Sequence, residues 1–318
     1  MSQTKRVEIA LLGALHPSVR IALGQHFVVH PICDAADPMA ELRAVGHRIR
    51  GAASHGMAGL SRQHIEAMPS LEICAINGVG IETTDLQACK EKGVVVTTAP
   101  VLFDDVADLA LALALAASRR IPAADQFVRS GRWLAERMSL SRKFTGMRAG
   151  IIGLGRIGRE VARRLEGFKT EIHFADPTQS HETYIRRNDL IELAEHTDIL
   201  FLCAAGPARS TGEPIVTKEV IDALGPRGIF INVSRGWLVD ENALVAALVE
   251  GRLGAAGLDV FDHEPNVPAA LLDCDRVVLT PHIASSTVET IGAMGECVVA
   301  NLRSWFAGEG ALTPVATA

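Results

Sequence analysis

One stretch constrains the fold more than any other. Gly153-Leu154-Gly155-Arg156-Ile157-Gly158 stands between an apolar run, Ala149–Ile152, and a helix-forming run, Ile157–Glu166. Alone, G-x-G-x-x-G says little, because glycine is common. Between a strand and a helix it has a physical reason. Gly153 permits the tight turn, Gly155 lets the backbone approach a pyrophosphate, and Gly158 lets helix and strand pack. Free N–H groups at the helix start, those of Arg156 and Ile157 among them, then meet the phosphates along the helix dipole. Asp176 ends the next apolar run, 18 residues after Gly158. A carboxylate there accepts hydrogen bonds from the adenosine ribose and repels a 2′-phosphate. NAD is therefore the expected cofactor, with NADP the alternative. Arg186 and Arg187 either fold back toward the ribose or begin a solvated helix, and the helix start is expected.

The same alternation runs through the chain. Val7–Leu12, Arg50–Ala53, Ile73–Asn77 and Val94–Thr97 read as strands, with helices over Ser61–Met68 and Thr84–Glu91. A helix begins near Asp104, capped by Asp105, and Pro122 ends or kinks it. Residues 123–146 read as a helix and loop. A second series follows, with strands at Ala149–Ile152, Glu171–Ala175, Ile199–Cys203, Ile229–Val233, Ala256–Val260 and Val277–Leu279. Helices fit at Leu190–His196 and Glu241–Glu250. The last helix, Thr287–Phe306, has no strand after it and is expected to cross back to the first series. Strands alternating with helices imply parallel sheets covered on both faces. The expected fold is α/β, two doubly wound parallel-sheet domains with a cleft between them. Residues 1–100 plus 287–318 form the substrate domain and residues 101–286 the dinucleotide-binding domain, with hinges near Pro100 and Ser286.

A formal net charge of -6 gives no electrostatic reason to expect a nucleic-acid or anionic-membrane partner. The apolar run at the start is short and lacks an A-x-A site, so it reads as a strand rather than a signal peptide. The longest apolar stretch, Leu109–Ala117, is too short to span a bilayer. A cytoplasmic location is expected. The six cysteines show no C-x-x-C and no metal-ligand spacing with histidine. Buried free thiols are expected over disulfides or zinc, and no metal is assigned.

Three polar motifs end successive strands of the second series. They are Asn232-Val233-Ser234-Arg235-Gly236, then Leu258-Asp259-Val260-Phe261 with His263-Glu264-Pro265, then Thr280-Pro281-His282-Ile283-Ala284. In an open α/β sheet, ligands bind beyond the carboxyl ends of the strands, where an Arg, a Glu and a His can converge. With Gly-Leu-Gly-Arg-Ile-Gly these motifs make the chain similar to the D-isomer-specific 2-hydroxyacid dehydrogenase family over nearly its whole length. Glu219-Val-Ile-Asp-Ala-Leu-Gly-Pro and Glu250-Gly-Arg-Leu-Gly resemble the glyoxylate/hydroxypyruvate and hydroxyphenylpyruvate reductases within it.

The resemblance implies hydride transfer between a nicotinamide cofactor and a small 2-keto or 2-hydroxy acid. It implies that Arg235 binds the substrate carboxylate and polarises the keto oxygen, and that His282 is the acid in reduction and the base in oxidation. It makes Glu264 the group that orients His282, with the neighbours Asp262 and His263 as alternatives. It has Asp259 face the nicotinamide carboxamide and the Val79 and Gly80 amides hold the substrate carboxylate. Cys203 and Val233 fall among the cofactor contacts, and the segment after Cys203, Ala-Ala-Gly-Pro-Ala-Arg-Ser, lines the adenine side. Two departures stand out. Ala284 and Ser285 occupy positions where the family often has glycine, and Asp176-Pro177 replaces the Ser or Thr with basic residues common in NADP users. His55 either contacts substrate or is a surface histidine. Trp133 and Met138 either shape the substrate pocket across a dimer or pack in a core or interface. A homodimer is expected. The rival readings are a phosphite, formate or phosphoglycerate dehydrogenase, or a dinucleotide-sensing scaffold without turnover.

Overall fold

The computed structural model describes residues 6–205 and 212–315. It divides into two compact units, Met1–Leu102 with Ser285–Ala318, and Phe103–Ala284. In chain order the first unit has β1 (Glu8–Leu11), α1 (Pro17–His26), β2 (Val28–His30), α2 (Pro38–Val45), β3 (Ile49–His55), α3 (Arg62–Ala67), β4 (Ile73–Asn77), α4 (Leu86–Lys92) and β5 (Val95–Thr97). The second has α5 (Phe103–Arg119), α6 (Ile121–Arg129), β6 (Arg148–Ile152), α7 (Arg156–Glu166), β7 (Glu171–Ala175), β8 (Ile185–Arg186), α8 (Leu190–Glu195), β9 (Ile199–Leu202), α9 (Lys218–Leu224), β10 (Ile229–Asn232), α10 (Glu241–Glu250), β11 (Ala255–Leu258), α11 (Ala269–Leu272) and β12 (Val277–Leu279). The last helix, α12 (Val288–Phe306), returns to the first unit.

Both units are parallel α/β sheets. The first has strand order β2-β1-β3-β4-β5 and the second β12-β11-β10-β9-β6-β7-β8. Helical crossovers cover sheet faces, so the central strands are buried throughout rather than alternating. Ile229–Asn232 and Ile199–Leu202 are buried at every position. In the first unit Ile9, Leu11, Val19 and Leu23 share one core with Val298, Val299 and Leu302 of α12. Among the described residues no helix is long and apolar enough to cross a membrane.

Three local expectations give way. Helix α5 begins at Phe103, so Asp104 and Asp105 lie in its first turn, not at the cap. Acidic side chains there still suit the positive end of the helix dipole. The helix stops because Arg120 takes a left-handed conformation, φ 51°, and Pro122 sits in the first turn of α6, where its missing N–H costs no bond. Arg186 does not begin a helix. Ile185 and Arg186 pair with His173 and Phe174 of β7 as a sheet-edge strand, and helix α8 starts later, behind the Asp189 cap.

Candidate active site

The glycine loop is built as its spacing demands. Gly153 has φ +87°, and a Cβ there would lie 2.7 Å from Ala204 Cα. A Cβ on Gly158 would collide with the Gly153 carbonyl, so only glycine lets α7 start this close to β6. Above Gly155 the space is open, and no side chain caps the α7 N-terminus. Bare amides at an uncapped helix start fit a dinucleotide pyrophosphate. Asp176 closes the loop from the end of β7. Its carboxylate accepts from the Leu154 N–H (2.8 Å), the Thr178 N–H (2.8 Å) and the Gln179 N–H (2.9 Å). Burial pushes this carboxyl up, but those backbone bonds outweigh it and hold it below its ordinary value. It is therefore an anion at neutral pH. Arg186 folds back after all, donating to the Asp176 carbonyl at 3.0 Å. Cys203 follows β9, and burial pushes its thiol up to about 12. Val233 is buried just after β10. Ala204 and Ala205 are described, whereas residues 206–210 of the expected adenine-side segment lie outside the described residues.

The second cluster stands at the ends of β10, β11 and β12. His282 Nδ1 and Glu264 Oε2 are 2.8 Å apart. The other Glu264 oxygen accepts from the Phe261 N–H at 3.0 Å, so the carboxylate is aimed from behind. Among the alternatives, Asp262 faces His263 at 3.5 Å, and the His263 side chain is 71% exposed. Burial pushes the Glu264 carboxyl up. The His282 bond, the Phe261 N–H and the charge of nearby Arg235 together overcome that and hold it below its ordinary value. With Nδ1 engaged, Nε2 has no hydrogen-bond partner among the described residues, and the side chain is 35% exposed.

Residues beyond the three expected ones hold this arrangement. His282 has φ 53°, uncommon for a residue with a side chain. Asp259, wholly buried, fixes that turn. Its carboxylate accepts from the Thr280 hydroxyl (2.7 Å), the Ile283 N–H (2.9 Å) and the Ala284 N–H (3.0 Å), and its carbonyl from the His282 N–H (2.8 Å). Asn232 braces Arg235: its side chain accepts from the Ser234 N–H and donates to the Arg235 carbonyl, both at 3.0 Å. Gly236 is required sterically, since a Cβ there would run into the backbone of Phe261 and Asp262. Each lies inside a motif quoted above, but only the packing shows its task. Val79, Gly80 and His55 belong to the other unit, at the ends of β4 and β3. Met138 and Trp133 follow α6, and Trp133 is 61% exposed.

The family model described as "D-isomer specific 2-hydroxyacid dehydrogenase, NAD binding domain" matches residues 111–284. Hydroxyphenylpyruvate reductase of Plectranthus scutellarioides is 49% identical over 269 residues, covering 84% of this chain and 85% of that protein. The crystallised 2-hydroxyacid dehydrogenase of Ketogulonicigenium vulgare Y25 superposes with TM-score 0.92 at 45% identity, over 98% of this chain and 99% of that one. The NADPH-dependent glyoxylate/hydroxypyruvate reductase of Sinorhizobium meliloti, solved with NADP and malonate, superposes with TM-score 0.89 at 40% identity, over 98% and 97%. With a dinucleotide loop and a His–Glu–Arg cluster carried on these strand ends, the chain belongs to the D-isomer specific 2-hydroxyacid dehydrogenase family and is an NAD(P)-dependent oxidoreductase.

Proposed function

We propose that the chain reduces small 2-keto acids of the glyoxylate, hydroxypyruvate or aryl-pyruvate type, with NADH preferred over NADPH. The observation that carries the reading is the 2.8 Å His282–Glu264 contact, with Arg235 close enough for its charge to act on Glu264. The names of the similar reductases support the substrate class. A keto-acid panel run with NADH and NADPH tests it. Binding of NADH without steady turnover of any keto acid would leave the sensing scaffold as the better reading.

A bound nicotinamide supplies the hydride to the keto carbon. Negative charge then grows on the keto oxygen. Arg235 holds the substrate carboxylate through its planar fork and polarises that oxygen. His282, turned by Glu264 so that Nε2 faces outward, gives the oxygen its proton. Glu264 stays ionised and stabilises the imidazolium before transfer. Asp259 uses three of its roughly four acceptor positions to hold the His282 turn.

The cofactor preference rests on the Asp176 carboxylate. Asp176→Ser is expected to lower kcat/KM for NADH and raise it for NADPH, reversing their order, because the carboxylate that repels a 2′-phosphate is gone while Arg186 stays bonded at residue 176. A wild-type protein that already prefers NADPH would contradict the preference. We also propose a homodimer, supported by exposed Trp133, Leu134 and Leu140 after α6. Light scattering at micromolar concentration should give twice the mass of the 318-residue chain, and a monomer mass would rule it out.

A further inference from the structure

Arg235 has to hold a planar cation still and yet keep a fork of N–H groups for its ligand. Its side chain is long and rich in rotamers, so the guanidinium needs a brace. Two contacts restrain it. Nη1 donates to the Ser234 carbonyl at 2.8 Å. The guanidinium also stands over the Trp237 ring, its carbon 5.9 Å from the ring centroid. Both residues are half-buried. A cation within about 6 Å of an aromatic centroid is attracted by the negative ring face, and tryptophan attracts it best. Such a contact supplies no acceptor atom. It therefore restrains the cation without taking the N–H pair that a carboxylate requires.

The ring itself is well anchored. Trp237 sits in the middle of a single 3-10 turn, Gly236–Leu238. On one side Gly236 is pressed against the backbone of Phe261 and Asp262. On the other, Leu238 is wholly buried, and its carbonyl accepts from the Ile215 and Val216 N–H groups, both at 2.9 Å. The Asp240 N–H then donates to the Val216 carbonyl at 2.9 Å. The indole packs against the core that contains Val216, Leu238 and Phe261. Asn232 fixes the backbone of Arg235, and the anchored ring fixes the far end of its side chain.

We infer that Trp237 is a positioning residue, whose ring holds the Arg235 guanidinium in the orientation that meets a keto acid. The inference rests on the role of Arg235 proposed above and adds the group that aims it. Without the ring the side chain reaches other rotamers, so the loss falls on keto-acid binding and turnover and spares the cofactor.

Trp237→Leu should lower kcat/KM for glyoxylate about three- to thirtyfold, the range such contacts span. Trp237→Phe keeps a weaker ring face and should lose less. The Kd for NADH, read by fluorescence, should change less than twofold in both. Oxalate, an unreactive analogue of a keto acid, should bind the NADH complex of Trp237→Leu more weakly than that of wild type. The decisive measurement is a double-mutant cycle. In an Arg235→Ala background, Trp237→Leu should change the residual kcat/KM less than twofold, because the charge on which the ring acts is gone. A ring that only supports the fold would cost as much in both backgrounds. Should Trp237→Leu fail to fold, Trp237→Phe carries the same cycle, with a smaller loss beside Arg235 and none beside Ala. Equal losses in the two backgrounds, or a Trp237→Leu protein as active as wild type, would overturn the inference. Wild-type activity of Arg235→Ala would overturn the Arg235 reading instead.

Discussion

His282→Ala is expected to lower kcat/KM for keto-acid reduction by roughly 100- to 10,000-fold, the contribution usual for a positioned general acid. The alkoxide formed as hydride arrives has no other proton donor aimed at it from this cluster, because the Glu264 carboxylate is held in its ionised form. The fold should survive. The His282 side chain is partly exposed, and the bonds that shape its turn come from backbone atoms and Asp259. NADH binding, read by fluorescence, should stay within a few-fold of wild type, since the glycine loop and Asp176 lie on β6 and β7. Near-normal turnover by a folded His282→Ala protein would remove the acid from the mechanism.

Arg235→Ala should cost about 100–1000-fold in kcat/KM, as expected for a positioned charged donor at developing negative charge. Both KM and kcat should suffer, because the proposed role has one guanidinium serve the carboxylate in the ground state and the keto oxygen in the transition state. Arg235→Lys should recover only part, because an ammonium cannot make the bidentate, planar contact. A second effect separates this from simple misfolding. Arg235 helps hold the Glu264 carboxyl below its ordinary value, so its removal should let Glu264 protonate at a higher pH. The sign follows from the depressed value: the charged form is lost as pH falls through it, and sooner once Arg235 is gone. The acid limb of the residual activity should therefore move up in pH. Wild-type rates on glyoxylate, hydroxypyruvate and phenylpyruvate would refute the assignment.

Much of this site is legible in the amino-acid order because its residues sit at strand ends inside short motifs. The glycine loop is the clearest case. Gly158 is required by its contact with the Gly153 carbonyl five residues back, and Gly153 by its own positive φ, so local spacing carries the information. Strands β6, β7, β9 and β10 are equally plain, each built round apolar residues and buried at nearly every position. Strands β2 and β8 are not. Val28–His30 and Ile185–Arg186 are short sheet-edge strands, with a half-exposed or exposed pattern that gives neither period nor apolar run. Their pairing is decided by a neighbour, β1 or β7, and no local signal reports it.

The bracing residues were hidden for a related reason. The task of Asp259 depends on the approach of the 280–284 loop, 21 to 25 residues along the chain. Gly236 owes its necessity to the backbone at Phe261 and Asp262, and Gly13 to the ring of His55. Motif spacing shows that such residues recur together, whereas only the packed structure shows what each one prevents. Arg186 is the same lesson in electrostatics. Ten residues from Asp176 in sequence, it reaches the Asp176 carbonyl because β8 turns it back along β7.

The central claim is that Glu264 acts through His282 in proton transfer. The most direct test is the pH profile of kcat/KM for keto-acid reduction, measured for wild type and Glu264→Gln with a substrate that does not titrate in the range. Reduction consumes the imidazole proton, so activity should fall as pH rises. The glutamine keeps the shape and the Phe261 bond but removes the negative charge that favours the protonated ring. The account expects the descending limb of Glu264→Gln to lie at lower pH than that of wild type. Superimposable limbs would contradict it.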